Sequence, residues 1–197
     1  MMTEKFEITR ADIIPIADYA KERAQRRKRI AEIKRNRRLA VGPFATFYFE
    51  NFETMWHQVH EMLFIEKGGD GQIADELAAY NPLVPKGREL IATVMFEIED
   101  AVRRKQVLAK LGGVEETMSI TVGGARIAGV PEADVDRTNA AGKASSVQFV
   151  HFPFTADQIA RFKEAGTRVI VAIEHPEYAH MAVMPEPVRA ALSGDFA

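Results

Sequence analysis

Residues 117–130, TMSITVGGARIAGV, decide the class of fold. Thr117 to Val122 and Ala125 to Val130 read as strands, and Gly123-Gly124 stands between them. Paired glycines supply the positive φ that both central residues of a tight hairpin turn need, so the segment reads as a β-hairpin. A hairpin makes neighbouring strands antiparallel, which argues against a sheet wound entirely from strand–helix–strand units.

Four further segments read as strands: Phe44 to Phe49 (FATFYF), Leu90 to Ile98 (LIATVMFEI), Ser146 to Phe154 (SVQFVHFPF) and Arg168 to Glu174 (RVIVAIE). In the third, Val147, Phe149 and His151 share one face, and Gln148, Val150, Phe152 and Phe154 the other. A long helix starts near Asp12 and meets no glycine or proline after Pro15 until Gly42-Pro43. Shorter helices are expected over Asn51 to Lys67, Ile73 to Tyr80, Asp100 to Leu111 and Ala156 to Ala165, with a last one near Val188 to Leu192. Pro131 to Lys143 reads as a loop or irregular helix, and the stretch after Glu174 as a proline-punctuated tail. The expectation is α+β: one domain with a mainly antiparallel or mixed sheet of about six strands and several packed helices. A long basic N-terminal helical arm fills 1–42 and the α+β body 43–197.

At 197 residues the chain can bury a substantial core, and 47% hydrophobic with 27% charged residues excludes disorder and fibrous repeats. With no cysteine, disulfides, thiolate metal sites and a cysteine nucleophile are excluded. No apolar run reaches the ~20 residues of a membrane helix, and MMTEKFEITR lacks a signal-peptide apolar region, so a cytoplasmic setting is expected. The net charge of −2 hides a split: residues 21–38 carry ten basic side chains against Glu22 and Glu32, leaving −10 for the rest. Such a segment can bind nucleic acid or an acidic partner, or lie across the acidic remainder of its own chain or of a second copy. Self-pairing is the expectation for Arg26, Arg27, Arg29, Arg35 and Arg38, and nucleic-acid binding is the alternative.

No phosphate-binding glycine loop, GxSxG or HExxH occurs. The informative segment is ENFETMWHQVHEMLFI, 50–65. On a helix, Phe52, Met55, Trp56, Val59, Met62 and Leu63 form one apolar face, expected to bury against the sheet. Glu53, His57, His60 and Glu61 line the opposite face at three- and four-residue spacings, which suit a divalent metal such as iron, manganese or zinc. A solvated, ion-paired helix surface has the same pattern. Asn81-Pro82-Leu83-Val84-Pro85 reads as a rigid connection or a ligand loop, Asp134, Asp136 and Arg137 as an ion pair, and His175-Pro176 as a strand end leading to Tyr178 and His180.

Six segments in order, RIAEIKRNRRLAVGP (29–43), FENFETMWHQVHEML (49–63), AAYNPLVP (78–85), LIATVMFEIED (90–100), SSVQFVHFPF (145–154) and IEHPEY (173–178), resemble the bacterial domain-of-unknown-function family 3501. The resemblance runs from about residue 13 to residue 195. It implies no reaction. It implies a context of rubrerythrin-like and iron–sulfur proteins, and matching positions at Glu50, Asn51, Gln58, Glu61, Met62, Tyr80, Asn81, Arg137, His175 and Pro176. It also implies that His57 and His60 lie where other members hold no metal ligand, shifting weight to Glu50, Gln58 and Glu61. On a helix that includes residue 50, those three fall within an ~80° arc. The expected function is a non-enzymatic accessory or binding protein, with a homo-oligomer or redox proteins as partners. The alternative is an enzyme with a carboxylate-rich, metal-dependent pocket on the 50–65 helix.

Overall fold

A computed structural model describes residues 5–132 and 143–197. Asp134, Asp136 and Arg137 lie outside them. In chain order the elements are α1 (Ile16–Arg35), β1 (Arg38–Val41), β2 (Ala45–Phe49), α2 (Phe52–Glu66), α3 (Gln72–Tyr80), β3 (Glu89–Phe96), α4 (Ala101–Leu108), β4 (Met118–Val122), β5 (Ala125–Ala128), β6 (Val130–Pro131), β7 (Val147–Pro153), α5 (Ala156–Lys163), β8 (Val169–His175), β9 (Tyr178–Val183) and α6 (Glu186–Leu192).

The Gly123-Gly124 turn forms as expected, with φ of 53° and 93°, and pairs Val122 with Ala125. Every strand pairing is antiparallel. The fold is α+β, with two sheets instead of one: a five-stranded sheet in the order β1-β2-β3-β7-β6 and a four-stranded sheet in the order β5-β4-β8-β9. Alternate residues of both (Phe47, Phe49, Val94, Phe152 from the first; Ile120, Val122, Val171, Ile173 from the second) fill one core between them. The other face of the five-stranded sheet carries Ile91 and Phe149, and meets Met55, Val59 and Leu63 of α2 and Ile73 and Leu77 of α3 in a second apolar cluster.

Three strands escaped the sequence reading, among them β6, which splits from the expected Ala125–Val130 strand, takes in Pro131 from the expected loop and pairs Val130 with His151 of β7. The first long helix stops at Arg35, and residues 38–41 form β1, in register from Arg38↔Tyr48 to Val41↔Ala45. Leu39 and Val41 then fall into the inter-sheet core, and their burial outweighs helix continuation. The expected arm boundary at residue 42 therefore lies inside a hairpin. Gly42 holds its turn at φ 73°, where a Cβ would sit 2.6 Å from the His180 ring. The tail after Glu174 is likewise not irregular: Pro176-Glu177 turns β8 into β9, with His175 opposite Tyr178. The Tyr178 hydroxyl donates to Val41 O and accepts from the Phe44 and Ala45 amides, tying the β1–β2 turn to β9.

Candidate functional site at the α1–α2 interface

Asn51 caps α2: its Oδ1 accepts from the Thr54 amide at 2.9 Å, and the Thr54 hydroxyl accepts from the Asn51 amide. The helix therefore begins at Phe52, after an extended Asn51, and Glu50 precedes both, its amide donating to Ile91 O. Its Oε1 accepts from Thr93 Oγ1 at 2.8 Å, and the buried Oε2 has no partner among the described residues. Glu61, two turns into α2, reaches α1 instead. Glu50 and Glu61 thus hold different partners, Gln58 shares no hydrogen bond with either, and the expected three-residue cluster does not form.

What the interface does gather was mostly unread in the sequence. Tyr19 and Arg23 lie four apart on α1 and face α2. The Arg23 fork grips Glu61, Nε to Oε1 at 2.9 Å and Nη2 to Oε2 at 2.8 Å. The fully buried Tyr19 donates its hydroxyl to Glu61 Oε1 at 2.7 Å, with His57 Nδ1 at 3.1 Å from the same oxygen. A hydroxyl has one proton to give; spent on the carboxylate, it accepts from His57, which assigns the proton to Nδ1 and leaves Nε2 bare. The Arg23 fork holds Glu61 down at about 2, with Tyr19 adding to it against burial. Burial, then Glu61, pushes the Tyr19 phenol up. Burial pushes His57 down, with Lys34, Arg27 and Arg23 adding to it against Glu61.

His60 is buried with both ring nitrogens engaged: Nδ1 donates to Trp56 O at 2.7 Å and Nε2 accepts from the Ile14 amide at 3.2 Å. It has no lone pair for a metal. Glu53 pairs with Arg29 and Glu61 with Arg23, and His57 meets Glu61 only through the Tyr19 hydroxyl they share, so the four residues expected around a metal do not converge on one point. No group of three or more metal-ligating side chains forms among the described residues.

Trp56 is half-buried, against the expectation that it packs on the sheet. It lies beneath α1 and the N-terminal segment, its Nε1 donating to Asp12 O at 2.8 Å, with the His60 ring 3.8 Å away and the Arg26 guanidinium 4.7 Å from its own ring. Met62 is also only half-buried, while Met55, Val59 and Leu63 carry the packing on the sheet. Between α1 and the first turns of α2 this arrangement leaves a groove of about 210 Å³. Arg26, Arg29, Ile30, Phe52, Trp56 and His57 are among its walls. The Tyr19-Arg23-Arg26-Ile30 spacing on α1 was the one sequence signal for it.

Asn81, Tyr80 and His175 lie away from this groove and each holds a local contact. Asn81 pins the N-terminal segment, accepting from the Ile8 amide and donating to Ile8 O at 2.8 and 2.9 Å. Tyr80 packs on the apolar cluster beneath α2. His175 closes its own turn, Nδ1 accepting from the Glu177 amide and Nε2 donating to Gly112 O, both at 3.2 Å. Of the five arginines expected to pair, Arg26 holds Glu22 and Arg29 holds Glu53; Arg27, Arg35 and Arg38 form no ion pair among the described residues.

The model of a family described as protein of unknown function (DUF3501) matches residues 7–196. A crystal structure of a novel protein of unknown function from Burkholderia pseudomallei K96243 is 35% identical. It superposes with a TM-score of 0.89 over 96% of this chain and 99% of its own. No curated protein matches the chain.

Proposed function

This chain belongs to the family of unknown function DUF3501, and we propose that it is a non-catalytic binding protein that receives a carboxylate in the groove between α1 and α2. The observation that carries the reading is the gathering of two forked donors, Arg26 and Arg29, beside Trp56 in a cavity of about 210 Å³. That volume is below the ~300–1,000 Å³ of pockets for larger ligands and suits one small acid or one acidic side chain. Among the described residues the arginines' ion pairs are with Glu22 and Glu53, pairs exposed enough to open for ~1 kcal/mol or less. Arg27, Lys28, Lys34 and Arg35 extend the positive field along α1 without ion pairs among the described residues, which favours an anionic visitor.

The polar groups beneath the groove support binding over catalysis: the Glu61 carboxylate and both His60 nitrogens are spent on holding two helices together. The carboxylate can come from a free acid or from the surface of a partner. Rubrerythrin-like and iron–sulfur proteins as partners, and a cytoplasmic setting, belong to the same proposal. No helix is long and apolar enough to cross a membrane among the described residues. Calorimetric titration with acetate, succinate and benzoate, and separately with a purified rubrerythrin, tests the reading. Saturable binding in either arm, weakened at least tenfold by Arg29→Gln, supports it and identifies the source. Heat in neither arm, or binding that Arg29→Gln leaves unchanged, overturns it.

A further inference from the structure

The four-stranded sheet has one face in the core and one that neither apolar cluster of the described residues covers, although Ser119 and Ala172 at its middle are buried by their neighbours on the sheet. Register places Ala179, Met181 and Val183 of β9 beside Glu174, Ala172 and Ile170 of β8, and these beside Ser119 and Thr121 of β4 and Ala128 and Arg126 of β5. An antiparallel sheet facing water ordinarily turns polar side chains outward. Here six of ten outward positions are apolar, and Met181 and Val183 are 72% and 54% exposed. The charged members, Arg126 and Glu174, pair with each other at 2.7 Å, and Glu174 also accepts from Ser119 Oγ.

We propose that this face is a self-association surface, occupied by the same face of a second copy. The charge pattern selects that occupant. A chain that is −2 overall, with +8 concentrated in residues 21–38, presents here a face of zero net charge. Such a face steers neither a basic nor an acidic partner toward itself. One cation beside one anion is self-complementary across a twofold axis, since each copy's Arg126 can meet the other's Glu174 while Met181 and Val183 meet their counterparts along the β9 edge. Four strands about 4.8 Å apart and some six residues long span on the order of 400 Å² per copy, below the ~800 Å² of a standard stable interface. The dimer is therefore weak and concentration-dependent.

Sedimentation velocity on the full chain across ~5 to ~500 µM tests this, a range that brackets the micromolar affinities of small interfaces. The expected result is a mass rising from 22.0 kDa toward twice that value. Met181→Glu is expected to weaken association at least tenfold while its circular dichroism and melting temperature match the wild type, because the side chain is exposed. Arg126→Glu serves as a second disrupting variant, and Arg126→Glu with Glu174→Arg should restore association. A monomer at every concentration, which would leave the face to a different partner, overturns the proposal. So does a dimer that survives both single substitutions, which would place the interface elsewhere.

Discussion

Glu61 of α2 is locked to Arg23 of α1 by a two-point fork, 2.9 and 2.8 Å long, with the side chains 15% and 28% exposed. Planar, bidentate pairing of this kind fixes orientation as well as distance. It sets how α1 lies on α2, and therefore the shape of the groove above them.

Glu61→Gln accordingly destabilises the protein. A solvated carboxylate would make the change neutral and a repulsive acid cluster would make it stabilising; the structure supports neither. The folded-state value of about 2 lies below the ordinary glutamate value of 4.5, so the contribution is full above pH 4.5 and lost as pH falls toward 2. The expected cost at pH 7 is about 1–3 kcal/mol. Urea unfolding of both proteins at neutral and acid pH checks it: the gap should narrow as pH falls through that window.

His60 and His57 set a second pH dependence. Burial lowers both below the ordinary 6.5, so the unfolded chain takes up protons first and stability falls as pH drops below 6.5. His57 feels Tyr19, Arg23, Arg27 and Lys34 of α1 and Glu61 of its own helix. Melting curves of His60→Gln and His57→Gln should show a shallower decline below pH 6.5 than the wild type. Zinc should leave the wild-type melting temperature unchanged, because His60 offers no free nitrogen and the bare Nε2 of His57 has no two further ligands grouped with it among the described residues. A rise of several degrees at sub-millimolar zinc would contradict that assignment.

Trp56 anchors the N-terminal segment through one hydrogen bond and several ring contacts. Trp56→Phe keeps most of the packing but loses the bond to Asp12 O, and is expected to cost about 1–2 kcal/mol. Trp56→Ala should cost about 3 kcal/mol or more. Chemical denaturation of both variants measures the difference.

Arg37 and Asp195 form an ion pair whose side chains are 5% and 7% exposed. Arg37 also donates to Phe49 O and Glu50 O, latching the C-terminal segment to the end of β2. Asp195→Asn leaves a buried guanidinium without its counter-ion and should cost about 3–5 kcal/mol. Thermal melts should show it far more damaging than Asp70→Asn, whose partner Arg10 is exposed.

The hairpin at Gly123-Gly124 was legible because its determinants are local: two adjacent residues free to take positive φ between two strands. Strand β1 was not, because Arg38-Leu39-Ala40-Val41 continues a helical pattern without a breaker, and only a core formed by distant strands makes it extended. Strand β9 was hidden behind Pro176, which punctuates the sequence but also sets the φ of a tight turn. Glu61 was legible as a candidate, and its partners were not: Tyr19 and Arg23 lie 42 and 38 residues away. Asn51 is a candidate only through the family resemblance, Asn81 as part of a rigid connection and His175 as a strand end; the structure gives each a hydrogen-bonding task where it stands.

The protein has one tryptophan, and it forms a wall of the groove, so the emission of Trp56 reports directly on whether a carboxylate enters. Titration with benzoate should shift or quench that emission along a saturable curve, and Arg29→Gln should move the midpoint at least tenfold higher. Emission that stays flat up to ~10 mM, a concentration at which even an affinity of about −3 kcal/mol would register, contradicts carboxylate binding at this site.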